Sequence, residues 1–101
     1  MPLGAADLAA ATDTEIYAVP AGKKASVNVA FCARTQAADV RLAVTDGALP
    51  AAKDWIEFDV SLGASGVLER TQIWMSTGEK LYARASATGV SVVVYGPEEN
   101  A

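Results

Sequence analysis

The densest group of ionisable side chains is Asp54, Glu57 and Asp59, with Trp55 among them. On an extended chain, residues two apart share a face at roughly 7 Å. Glu57 and Asp59 therefore fall within the spacing that glycoside hydrolysis asks of its two carboxyl groups. That chemistry also needs an apolar cleft to raise one pKa, and nothing in the surrounding sequence supplies one. A solvated strand face is the plainer reading. A calcium site would need an oxygen-rich loop, and none accompanies these residues. Cys32 is the only thiol, and thiolate formation needs a base or a positive field. The chain has no histidine, so Cys32 reads as a structural, half-buried thiol. Gly22-Lys23 fails as a phosphate loop: position 17 is tyrosine where a glycine is required, and Lys24 stands where a hydroxyl is required. No catalytic residue, cofactor or metal ligand is assigned, and the chain is expected not to be an enzyme.

A second set of residues suits contact. Trp55 and Tyr82 fall on the polar parity of their segments, Val93 and Tyr95 on the outer face of the last one, and Trp74 joins them. Leu3 and Leu8 are the large apolar residues of the leader. Outward tryptophan and tyrosine mark protein contacts and sugar platforms. These seven positions are therefore the candidate interface. Three readings stay open for the aromatics: cover by loops of the same chain, contact with another protein, or a carbohydrate platform with Glu57, Asp59 and Arg84 as hydroxyl partners.

The elements that must position these residues are strands. Ala25, Val27, Val29 and Phe31 are apolar with polar Ser26 and Asn28 between them, and Val40, Leu42 and Val44 alternate with Arg41, Ala43 and Thr45. Ile56, Phe58 and Val60 alternate with Trp55, Glu57 and Asp59; Leu81, Ala83 and Ala85 with Lys80, Tyr82 and Arg84; Val90, Val92 and Val94 with Ser91, Val93 and Tyr95. Side chains on a strand alternate between faces, so each run offers one apolar face inward. Strands are also expected at 14–19 and 66–74, with their inward parity ambiguous. Pro20-Ala21-Gly22 suits a type I turn with proline at its second position, and Asp46-Gly47, Gly63–Gly66, Thr77-Gly78 and Thr88-Gly89 mark further corners. This spacing predicts an all-β chain: a single antiparallel β-sandwich, jelly-roll or Ig-like, of about seven to eight strands. Its domain spans 14–96, between an N-terminal arm (1–13) and a C-terminal tail (97–101), both loosely held. Ala5–Ala11 is the one place for a single helical turn. Val19–Ala25 and Met75–Leu81 share a plan of small residues, glycine, a charge and lysine, which reads as two ordinary β-corners or as a trace of internal symmetry.

Composition narrows the function. The 101 residues are 51% hydrophobic, but 21 are alanine and 11 valine, so the core rests on few large side chains. A net charge of −4 argues against direct nucleic-acid contact, which needs a basic face. No apolar run is long enough to span a bilayer, no signal peptide is evident, and a lone cysteine forms no internal disulfide.

Ile16-Tyr17-Ala18-Val19-Pro20-Ala21-Gly22-Lys23, Val27-Asn28-Val29, Cys32-Ala33-Arg34, Gly66–Arg70, Gly78–Leu81 and the closing Gly89–Val92, Tyr95-Gly96 and Glu98-Glu99 together resemble small virion structural β-sandwich proteins of tailed bacteriophages. The likeness covers roughly residues 12 to 99. It implies a non-enzymatic protein of the virion, made in the host cytoplasm, that docks as an oligomer. The decoration (cement) type is the leading form, with a neck, collar or tail accessory protein as the alternative. The implied partners are major capsid or neck and tail proteins, and copies of the chain itself as a trimer. Ala33 and Pro97 depart from the family pattern, which places asparagine at the first position and an apolar residue at the second. Proline lacks a backbone donor, so a subunit contact through that step is in doubt.

Overall fold

A computed structural model describes residues 2–101, with side chains from Leu3 onward. Nine strands are present among the described residues: β1 (Pro2–Leu8), β2 (Thr14–Ala18), β3 (Lys23–Ala33), β4 (Ala38–Thr45), β5 (Trp55–Leu62), β6 (Val67–Met75), β7 (Lys80–Ala85), β8 (Val90–Tyr95) and β9 (Glu98–Asn100). The only helical element among them is a 3₁₀ turn at Ala52–Asp54. All strand pairings are antiparallel. Sheet A runs β1-β8-β3-β6, with β9 also on β3, and sheet B runs β2-β7-β4-β5. The two sheets form the predicted sandwich.

Alternation builds the core where β-branched and aromatic residues carry it. Val27, Val29 and Phe31 of β3, Val40 and Leu42 of β4, Leu81 and Ala83 of β7, and Val90, Val92 and Val94 of β8 are all fully buried. Their inward side chains interdigitate between the two sheets. The two strands whose parity was ambiguous both lie in bulged pairings. The β2–β7 register slips between Glu15 and Tyr17, and the β3–β6 register slips between Val27 and Val29, opposite a Gln72 held at φ 55. A bulge puts two residues against one and re-aims the side chains after it.

Both segments expected to be loose carry strands. Within 1–13, Pro2–Leu8 is a strand rather than a helical turn, and it pairs along β8 from Pro2↔Tyr95 to Leu8↔Val90. Leu8 seals that end of the core at 2% exposure. Within 97–101, β9 pairs Lys23↔Asn100 and Ala25↔Glu98. Pro97 sits at the step between β8 and β9, where its carbonyl accepts from Ser26 N at 3.2 Å. The Tyr17 hydroxyl donates to Glu98 and Lys23 Nζ to Asn100 Oδ1 at 2.9 Å, so side chains as well as backbone fix the tail.

The two echoed corners are the same turn. Lys23 N donates to Pro20 O at 3.1 Å, and Glu79 N to Ser76 O at 3.1 Å. Gly22 (φ 76) and Gly78 (φ 86) each hold the third position. A positive φ there is the type II signature, so the first turn begins at Pro20 rather than placing proline second. The corners also bond to each other: Val19 N donates to Glu79 O at 3.0 Å, and Gly78 N to Val19 O at 3.2 Å. The strand orders match in the same sense, β6-β3-β8-β1 of sheet A reading onto β2-β7-β4-β5 of sheet B. The internal echo is thus a topological two-fold between the sheets, with β1 filling the place that β5 fills in sheet B.

Candidate functional site

The seven interface candidates fall into two sets. On the outer face of sheet A, Trp74 is 72% exposed, and Val93 and Tyr95 are each 38% exposed. Register puts them on one surface: Trp74 lies across from Ser26, Tyr95 from Asn28 and Val93 from Ala30. Val67, exposed as well and absent from the candidates, lies across from Cys32. Ala5 pairs with Val93 on the other side. Alanine, serine and a half-buried Cys32 keep this surface low and flat between the larger side chains. Charge stands within it as well as at its rim: Glu69, across from Ala30, lies between Val67 and Trp74 along β6. Glu69 accepts from the Tyr95 hydroxyl at 3.0 Å, which holds the phenol pKa up. Arg34 reaches Asp7 at 2.9 Å and also bonds Ser91.

The remaining candidates are not free. Leu8 is buried, and Leu3 packs half-buried against the core. Apolar residues of an edge strand gain most by turning under the sheet. Tyr82 has the outward parity expected of it, lying across from Ala43, yet it is 7% exposed. Ala43 and Thr45, with the same parity, are buried too, and none of the three belongs to the central core cluster. The β4–β5 connection lies on this face beside Arg41, and its 3₁₀ turn packs on β4. Asp54 anchors that turn by accepting from Ala51 N at 2.8 Å, and its carboxyl is held below the usual range by Lys53. Trp55 is half-buried at the edge of this covered region.

Strand β5 departs from its alternation. Its register against β4 shifts twice, around Leu42, and Asp59 takes φ 52. Ile56 and Val60 still pack on the core, but Phe58 turns outward at 55% exposure. Glu57 pairs instead with Leu42 and reaches Arg70 of β6 at 3.3 Å, bridging the open edges of the two sheets. Asp59 bonds Arg41 on the outer face at 2.5 and 3.1 Å. The carboxylates read as one acidic group thus serve different partners, and no acid–base pair is assembled from them.

The outer face of sheet B therefore centres on Arg41. Its guanidinium lies 3.9 Å from the Phe58 ring centroid and 5.7 Å from that of Trp55, and the two rings meet edge to face at 5.7 Å. Hydrogen bonding to Asp59 holds the arginine protonated and the Asp59 carboxyl low. Arg41 is the shared wall of two depressions. One, of about 220 Å³, is lined by Ala11, Asp39, Arg41, Asp59, Arg84 and Ser86. The other, of about 600 Å³, lies between Trp55, Phe58 and Pro50–Ala52. Sequence reasoning named Trp55, Asp59 and Arg84 but missed Arg41 and Phe58. Alternation placed Phe58 inside, and the bulge that overrules it has no glycine to announce it.

No protein family and no curated protein matches the chain. No group of three or more histidine, cysteine, aspartate or glutamate side chains gathers within metal-holding reach among the described residues.

Proposed function

We propose that this chain is a non-enzymatic structural protein of a phage particle, docking through the outer face of sheet A as a homo-oligomer, in the manner of a capsid decoration (cement) protein. The single observation that carries the docking reading is the exposure of Val67, Trp74, Val93 and Tyr95 on one sheet face. A tryptophan left mostly in water on a strand gains by being covered, and large exposed apolar patches mark contact sites. Covering one side chain of this size is worth about 2 kcal/mol, more than tenfold in affinity. Many copies on a repeating surface multiply such gains through effective concentration. The phage setting rests on the resemblance of the turns and strands to small virion proteins. The alternative position, neck, collar or tail, uses the same surface.

The test is a reconstruction of the purified particle by electron microscopy, paired with the Trp74→Ser and Val67→Ser proteins added back to particles stripped of the chain. Density for the sandwich with sheet A facing its neighbour, and loss of rebinding in both variants, is the expected result. Absence of the chain from every ordered layer overturns the reading.

A further inference from the structure

The outer face of sheet B carries polar groups that the docking reading leaves unused. The smaller depression brings together two arginines, two aspartates and a serine. Arg41 is bound by Asp59, Arg84 by Asp13 at 3.3 Å, and Asp39 Oδ1 accepts from Ser61 at 2.9 Å. Each arginine is thus balanced by an aspartate, and the Asp39 carboxylate, bonded by a neutral hydroxyl, adds a negative charge, so the floor offers no attraction to an anionic ligand. Hydrogen-bonding capacity nevertheless remains. Arg41 uses Nε and Nη2 on Asp59, leaving Nη1; Arg84 uses Nη1 on Asp13, leaving its other nitrogens. Ser86 Oγ accepts from Asp39 N at 2.9 Å, which leaves its hydroxyl proton to donate. The second carboxylate oxygen of Asp39 is an acceptor with no partner among the hydrogen bonds of the described residues.

Closely set donors and acceptors with no excess of positive charge match a ligand that presents both roles from adjacent atoms, as vicinal hydroxyls do. Guanidinium and carboxylate groups each bond two neighbouring oxygens at once. The adjoining depression supplies the other half of such recognition. Trp55, Phe58 and Pro50 give it apolar surface on which the C–H side of a sugar ring rests. Arg41 joins the halves, with its side chain in both walls.

We infer that the trough on the outer face of sheet B, from Ser86 and Arg84 across Arg41 to Trp55 and Phe58, binds an uncharged saccharide of one or two residues within a longer glycan. Hydroxyls of one ring bond the Arg84, Asp39 and Ser86 groups, and the next ring lies against the aromatic end. The site faces away from the docking surface of sheet A, so both are usable at once. Its presence does not depend on which partner covers sheet A.

The experiment uses the full chain and nuclear magnetic resonance shift mapping with four neutral oligosaccharide probes: maltohexaose, cellohexaose, laminarihexaose and chitohexaose. Polygalacturonate serves as an acidic comparison. At least one neutral probe is expected to move the Trp55 indole and the Asp39, Arg41 and Ser86 amides saturably at millimolar concentration. Sheet A amides such as Val93 stay still. Asp39→Asn and Arg84→Gln, each first checked for the native spectrum, weaken that probe at least tenfold, whereas Trp74→Ser leaves it unchanged. No shift with any neutral probe at 10 mM overturns the inference. So does binding confined to the acidic polymer and abolished by salt, which marks a simple charge contact. Shifts confined to sheet A overturn it as well, and the wild-type map decides even if a variant fails to fold.

Discussion

On the outer face of sheet A, Trp74 and Val67 stand in water across from Ser26 and Cys32, whereas on sheet B Tyr82, with the same outward parity, is sealed from it. The difference lies in the connections. Sheet B carries the β4–β5 segment and its 3₁₀ turn over β4, while the β2–β3 and β6–β7 corners are tight turns that reach over nothing. Parity tells which side of a sheet a residue takes. Whether that side is solvent depends on chain elsewhere. The chain lays a segment of its own on the outer face of sheet B, whereas the outer face of sheet A keeps Trp74 and Val67 in water.

The sharpest way to break this comparison is to truncate one aromatic on each face. Tyr82→Ala is expected to cost about 3 kcal/mol, the lower range for emptying a buried aromatic site. Trp74→Ala should stay within about 0.5 kcal/mol of the parent, as exposed positions do. Urea denaturation of the two variants measures both. Equal losses would mean that Trp74 is packed within the monomer and that the faces do not differ.

Sheet A is sharpened by asking whether β1 is integral to it. A Cβ at Gly4 would collide with the backbone carbonyl of Ile16, and overpacking of this kind costs about 1–3 kcal/mol. Gly4→Ala should therefore lower the urea midpoint. It should also speed hydrogen exchange in β1 and β8, leaving the β4–β5 pair protected. Uniform acceleration would show β1 to be no separable edge.

The smallest effects are electrostatic. Burial, and then the bond to Glu98, raise the Tyr17 pKa above the value near 10 of an unfolded tyrosine. A raised pKa gives stability that is complete below about pH 10 and is lost as pH rises further. Tyr17→Phe should flatten that alkaline limb. The Asp59 carboxyl is lowered by Arg41, so its contribution is present above about pH 4 and disappears as pH falls through the lower folded value. Asp59→Asn should remove part of the acid limb, and salt should shrink it, since the pair is exposed. Stability curves from pH 2 to 12 test both signs.

The fold was legible wherever a strand carries valine, leucine or phenylalanine at every second place. Strands β3, β4, β7 and β8 bury the residues that alternation selects. It was illegible in β1 because alanine and glycine look alike on either face, and in β9 because Glu-Glu-Asn has no apolar face; backbone pairing places both. The candidate surfaces were half legible. Val93 and Tyr95 came from parity, and Trp74 from its residue type, since the parity of its strand was ambiguous. Tyr82 was misjudged because parity gives the side of a sheet and not what lies over it, and Phe58 because a bulge reversed its strand. The paired corners were visible as a pattern, but only the bonds between Val19, Gly78 and Glu79 give that pattern a meaning.

The place of β8 also sets an order of events. It lies between β1 and β3, so sheet A has no continuous surface until one of the last strands in the sequence has arrived. Pairings this distant close slowly, and a chain leaving the ribosome N-terminus first holds β1 without a partner through most of its synthesis. The hairpin of β4 and β5 closes long before. The outer face of sheet A is therefore completed later than the β4–β5 hairpin on a newly made molecule, and in the docking role proposed above that order keeps half-made chains from docking.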